Sequence, residues 1–152
     1  MEFKKEIAET LNDLLQKNID AVEGYEKAYE EADDVMVKSF FQRRIQVRKQ
    51  FVQDLREQIL AYGQIPEDDA SFKSTMHRAW MDIKTLFTSN DSKVILEECI
   101  RGDEAALESY KEIVTRTDLP PTITEIITRH YQEIQSALNK DRMLLSKEKA
   151  MS

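Results

Sequence analysis

GQIPEDDASFKSTMHRAWMDIKTLFTSNDS, residues 63–92, is the stretch that decides how this 152-residue chain is expected to fold. Gly63 and Pro66 stand where a helix stops: glycine takes the left-handed turn past a helix end, and proline cannot continue the helix. Ser89-Asn90-Asp91-Ser92 is a polar cluster of the kind that separates helices. Between them Phe72, Met76, Trp80, Ile83 and Phe87 recur at helical spacing, which predicts a short amphipathic helix inside a long connection. Whatever lies on either side of this stretch is joined by a segment long enough to cross the length of a helix pair.

The flanks read as long helices. On the N-terminal side Leu11, Leu15, Asn18, Val22, Tyr25 and Tyr29 alternate in steps of four and three, the spacing of a stripe facing a bundle. A polar break at Glu31-Ala32-Asp33-Asp34 follows. A second stripe then runs Phe41, Ile45, Arg48, Val52, Leu55, Ile59, Tyr62. On the C-terminal side Leu96, Cys99, Asp103, Ala106, Tyr110 and Ile113 form a third stripe, which Asp118-Leu119-Pro120-Pro121 ends. Thr122 reads as the N-cap of a fourth helix that points Ile126 or Ile127, His130, Glu133 or Ile134, Ala137 and Leu144 inward. The short breaks make each helix pair an antiparallel hairpin. The predicted organisation is one all-α domain over residues 1–148, a four-helix bundle of hairpin one (3–62), crossover with a short helix (63–92) and hairpin two (93–146). A frayed tail (147–152) follows.

Composition agrees and narrows the function. Charged residues reach 34% and hydrophobic residues 41%, with only 3 Gly and 3 Pro, which suits long helices with one apolar stripe and a salt-laced outer face. The net charge of −7 and the lack of a basic patch argue against nucleic acid or an anionic membrane as partner. No apolar run approaches the ~20 residues that span a bilayer. Met1-Glu2-Phe3-Lys4 leads into a charged helix rather than a signal peptide, and the single cysteine, Cys99, suits a reducing compartment, so a cytoplasmic location is expected.

The two hairpins resemble each other at an offset of 85 residues. It pairs Leu11 with Leu96, Asn18 with Asp103, Ala21 with Ala106, Glu23 with Glu108 and Tyr25 with Tyr110, then Arg44 with Arg129 and Gln50 with Gln135. Either a duplication or a shared packing pattern accounts for this.

The informative residues are polar groups on apolar stripes. Asn18, Arg48, Asp103 and Glu133 are predicted to form a buried polar layer at mid-bundle, with His130 about one turn away. Burial of such groups is costly unless they satisfy one another. Tyr25 and Tyr110 are read as core side chains whose hydroxyls reach that layer, and Cys99 as an inert core thiol. His77, Arg78 and Trp80 sit on the crossover, Trp80 as a packing anchor or as a partner-facing aromatic. No phosphate-binding loop, nucleophile elbow or CxxC pair occurs.

Three segments carry a family resemblance: Leu11-Asn12-Asp13-Leu14-Leu15 with Glu23-Gly24-Tyr25; His77-Arg78-Ala79-Trp80-Met81-Asp82-Ile83-Lys84; and Leu96-Glu97-Glu98-Cys99-Ile100-Arg101-Gly102-Asp103-Glu104-Ala105-Ala106-Leu107. By these the chain resembles ferritin-like proteins, and more narrowly a bacterial family of ferritin-like four-helix bundles catalogued as a domain of unknown function. Ferritin-like sites hold two metals with one Glu from each of two helices and a Glu-x-x-His from each of the others. Carried over by the resemblance, the single-Glu positions fall at Asn18 and Asp103, and the Glu-x-x-His positions at Arg48 with Phe51 and at Glu133 with Ser136. Neither His is present, one carboxylate is an amide and another is an arginine. The resemblance implies the fold and no reaction, and the departure from the metal pattern leads to the expectation of a non-catalytic, ferritin-like binding or stress-associated module whose metal site has become an internal ion pair, with no cofactor. The alternative is an iron- or manganese-binding oxidoreductase or iron-handling protein using Asp103, His130 and Glu133. Either form is compatible with a homodimer or a protein partner.

Overall fold

The computed structural model describes residues 2–31, 35–67 and 92–151. The crossover helix predicted from Phe72 to Phe87, with His77, Arg78 and Trp80, lies outside the described residues. Among those described there are four helices and no strand: α1 (Glu2–Glu31), α2 (Val35–Ala61), α3 (Ser92–Val114) and α4 (Pro121–Met151). No helix among them is long and apolar enough to cross a membrane.

The helix ends follow local chemistry. Gly63 closes α2 with φ at +73°, its N–H bonding to Leu60 O at 2.9 Å and the Gln64 N–H to Ile59 O at 3.1 Å. This paired closure satisfies carbonyls that the helix itself leaves open. The start of α4 differs from the expectation that Thr122 caps it. Pro120 O accepts the first helical bond, from Thr124 N–H at 3.0 Å, and Pro121 is the first helical residue. Proline suits that position because its fixed φ is already helical and its missing N–H would have had no partner. At the C-terminal end α4 is helical as far as Met151. Its last turns are rich in good helix formers, and Lys149 reaches Glu97 at 3.9 Å.

Antiparallel packing runs around the whole ring. Asn18 faces Arg48 between α1 and α2, and Tyr110 faces His130 between α3 and α4. Tyr25 with Asp103 and Asn18 with Tyr110 show α1 antiparallel to α3, while Arg44 with Asp141 and Asp54 with His130 show the same for α2 and α4. Consequently α2 and α3 point the same way, so α2 ends and α3 begins at opposite ends of the bundle.

The core is split into two apolar clusters. One gathers Leu11, Leu15, Phe51, Leu55, Ile59, Ile113, Ile123 and Ile127 from all four helices. The other gathers Val22, Tyr25, Ala28, Phe41, Ile45, Ile95 and Cys99 toward the opposite end. On α1, Asn18 falls between the two sets; Arg48 does so on α2 and Asp103 on α3. The polar layer is thus sandwiched between apolar slabs, where an unpaired charge costs several kcal/mol. On α4 it is Ile127 and Ile134 that face inward, not Ile126 and Glu133, and Leu144 is 44% exposed.

Candidate functional site

The layer is built around one buried carboxylate, Asp103, only 1% exposed. The Arg48 guanidinium donates to its Oδ1 at 3.0 Å, Arg44 donates to its Oδ2 at 3.1 Å, and the Tyr25 hydroxyl donates to Oδ1 at 3.2 Å. Arg44 also bonds the backbone carbonyl of Ala137 at 3.1 Å and makes a short contact to Asp141 Oδ1. Two guanidinium groups thus face two carboxylates in a water-poor slab, and the four charges cancel. Burial holds Tyr25 and Cys99 well above their usual ranges, the nearby Asp103 charge adding to this, so both stay protonated and the thiol is inert.

Asp141 is the least satisfied member. It is 0% exposed, yet its Oδ2 has no hydrogen-bond partner. Burial raises its carboxyl to about 6, and the neighbouring Asp103 charge pushes the same way. Arg44 pulls the other way but is shared with Asp103, so burial wins.

A second, neutral chain of bonds starts at Asn18. Its Oδ1 accepts from Arg48 at 2.7 Å, and its Nδ2 donates to Leu14 O at 2.9 Å and to the Tyr110 hydroxyl at 3.0 Å. The amide is what this place requires: a carboxylate would set an oxygen against the Leu14 carbonyl. Tyr110 then meets His130 Nδ1 at 2.9 Å, and His130 Nε2 meets Asp54 Oδ2 at 2.9 Å. Burial drops His130 to about 4 despite the opposing pull of Asp54, so the ring is neutral at pH 7. Because burial also raises Tyr110, its O–H donates to Nδ1, and the ring's own N–H goes to Asp54. His130 is locked further by stacking on Phe51, with centroids 3.9 Å apart and planes 13° off parallel. Asp54 is lowered: against its partial burial, hydrogen bonds from His130 and Gln50 hold the charged form.

Of the predicted layer, Asn18, Arg48 and Asp103 come together and Glu133 does not. Glu133 is exposed, one residue off the inward stripe of Ile127, His130 and Ile134. The three residues considered as metal ligands are likewise kept apart. Asp103 is occupied by two arginines, His130 has both ring nitrogens engaged, and Glu133 faces outward. Among the described residues no group of three or more His, Cys, Asp or Glu is arranged to hold a metal ion. Three participants lie outside the predicted layer. Asp141 continues the α4 stripe from Ile134 through Leu138 in steps of four and three, a signal within reach of the sequence. Arg44 lies one turn from Arg48, whereas Asp54 has no stripe signal and is recruited by His130.

Between α2 and α4 a pocket of about 390 Å³ is lined in part by Arg44, Arg48, Asp103 and Asp141. Residues 6–116, which hold most of α1 and all of α2 and α3, match the family described as a domain of unknown function, DUF2383. The chain belongs to the DUF2383 family. That match contains Asn18, Tyr25, Arg44, Arg48, Asp54, Asp103 and Tyr110, and it stops before the α4 residues His130 and Asp141. In this DUF2383 chain the layer is therefore completed by a helix beyond the matched segment. No curated protein matches the chain.

Proposed function

We propose that this DUF2383 chain is a ferritin-like bundle without a reaction of its own, in which an arginine–carboxylate layer stands at the height of a metal pair, and that it works as a binding module. The observation that carries this reading is Arg48, buried and bonded to both Asn18 and Asp103, the two positions where ferritin-like proteins place single metal-binding carboxylates. The connectivity supports it too, because two antiparallel hairpins with α2 ending and α3 beginning at opposite ends require one long crossover.

A metal pair does not fit these residues. A permanently cationic guanidinium occupies the centre, Asn18 offers an amide already bonded on both its oxygen and its nitrogen, and both oxygens of Asp103 are taken. The place of one ligand His is filled by Phe51, which stacks on His130.

The test is elemental analysis of protein purified without chelator or metal-affinity resin from cells supplied with iron and manganese. The expected content is below about a tenth of an equivalent per chain, with a melting temperature unmoved by chelator. Near one or two equivalents would overturn the reading and would require Arg48 to swing out of the core.

A further inference from the structure

Two buried tyrosine hydroxyls donate into the polar layer, and they meet opposite kinds of acceptor. Tyr25 bonds Asp103 Oδ1 at 3.2 Å, an oxygen that also takes a bond from Arg48. A proton passed to that carboxylate would cancel charge that balances Arg44 and Arg48, which a water-poor slab penalises. Tyr110 bonds His130 Nδ1 at 2.9 Å, within reach of direct proton transfer to a base. Because the ring is neutral at pH 7, that nitrogen has a lone pair to receive the proton. A proton passed there makes an imidazolium whose Nε2–H already faces the Asp54 carboxylate, 2.9 Å away. A carboxylate so placed holds the ring in one tautomer and stabilises its charged form. Asp54 is itself steadied by bonds from Gln50 at 2.9 Å and Arg129 at 3.2 Å. Asn18 Nδ2 donates to the Tyr110 oxygen at 3.0 Å, which leaves the O–H directed at His130. Tyr110 is 1% exposed and His130 0%, and Phe51 packs on both rings, so the phenol is shielded from dissolved reagents.

We propose that Tyr110 is a redox-active tyrosine, which gives one electron to an outer-sphere one-electron oxidant of high potential while its proton crosses to His130. The O–H bond breaks and an Nδ1–H bond forms. The oxidant is reduced by one electron, and the products are a neutral tyrosyl radical and an imidazolium paired with Asp54. One electron from an outside reductant, with return of the same proton to the phenol oxygen, restores the starting state. Only the electron enters or leaves, and it tunnels through the protein, so burial protects the radical without preventing its formation. Loss of the imidazolium proton to solvent is opposed, because it would turn the Nε2 lone pair toward the Asp54 carboxylate. The step forms no product and draws on an oxidant from outside the chain. It therefore goes beyond the reading as a binding module and does not depend on it.

The test oxidises the full chain with photogenerated tris(bipyridine)ruthenium(III) and freezes it after set delays for electron paramagnetic resonance. A persistent tyrosyl radical is expected in the wild type and in Tyr25→Phe, and its loss in Tyr110→Phe. Histidine labelled with heavy nitrogen should show an imidazole nitrogen coupled to the wild-type radical. Asp54→Asn, at the partly exposed end of the series of bonds, keeps the aromatic packing and removes the charge that stabilises the imidazolium. It should lower the radical yield at a fixed delay about tenfold, the effect of one pH unit in the proton affinity of His130. Because Tyr110→Phe strips bonds from Asn18 and His130, circular dichroism and melting first establish that it is folded. Should it be unfolded, Asp54→Asn and the nitrogen coupling decide. An undiminished radical in folded Tyr110→Phe, a radical lost in Tyr25→Phe instead, no coupling to histidine, or an Asp54→Asn yield equal to the wild type would overturn the proposal. So would a wild-type radical that decays as fast as that of free tyrosine under the same flash.

Discussion

Tyr25 with Asp103 and Tyr110 with Asn18 are the same arrangement made twice. The 85-residue offset that relates the hairpins exchanges Asn18 with Asp103 and Tyr25 with Tyr110, so each tyrosine reaches across from α1 to α3, or back, to the polar residue of the other. Yet the two halves have opposite chemistry. Around Asp103 the bonds are ionic, converge from Arg44, Arg48 and Tyr25, and end at an under-satisfied Asp141 beside an open pocket. Around Asn18 they run in series through neutral groups, Tyr110 and His130, to the partly exposed Asp54. Arg48 joins the halves by bonding to both. One packing scheme can thus carry charge or exclude it, according to whether a carboxylate or an amide occupies the seam.

The largest expected effect comes from removing that difference at its centre. Asp103→Ala leaves two buried guanidinium groups short of a counter-charge and should cost about 3–5 kcal/mol in urea unfolding. Asn18→Ala strips only neutral bonds and should cost about 1–3 kcal/mol. Equal costs at the two positions would break the distinction between an ionic and a neutral half.

The pH dependence separates the halves next. His130, near 4 when folded against 6.5 in the free side chain, contributes stability that is present above pH 6.5 and lost as pH falls toward 4. Asp141, near 6 against 3.8, does the reverse, because its buried charge costs stability above pH 6 and protonation relieves that cost on acidification. Each amounts to about 3 kcal/mol at most, since a tenfold change in proton affinity is worth about 1.4 kcal/mol. Between pH 6 and 4 they offset, so stability should stay nearly level. In Asp141→Asn, where Arg44 and Asp103 remain but the titrating acid is gone, stability should instead decline steadily as pH falls from 6.5 to 4. Parallel profiles for the two proteins would show that Asp141 does not titrate as its burial requires.

A smaller effect converts the neutral half toward the ionic one. In Asn18→Asp the Tyr110 hydroxyl is drawn to the new carboxylate and no longer supplies a proton to His130 Nδ1. The added negative charge also favours the imidazolium, so the His130 titration followed by NMR should move upward by about one pH unit or more. An unchanged titration would mean that Tyr110 does not set the ring's protonation.

Much of this is legible in the order of residues. Heptad spacing locates four helices and places Asn18, Arg48, Asp103 and His130 on inward stripes, all of which are buried. The same spacing leaves α4 ambiguous between Glu133 and Ile134, because adjacent positions on a helix differ by about 100° and two stripes fit equally well until neighbours choose. Packing selects Ile134 and puts Glu133 outside. Asp141 escapes such a reading although its stripe points to it, since a charged residue on a helix is ordinarily solvated. The caps show a similar division. Gly63 is readable because a positive φ suits glycine almost alone, whereas Thr122 gives way to Pro121 because two residue types compete for the same helix start.

The sequence by itself determined the helices, their apolar faces and the presence of polar residues inside, because these follow from periodicity and local conformational preference. Only the tertiary structure decided which of those polar groups satisfy one another, because hydrogen-bond partners on different helices are set by the relative rotation and height of whole elements. That is why Arg44 and Asp141 joined Asp103, Asp54 joined His130, and Glu133 joined neither.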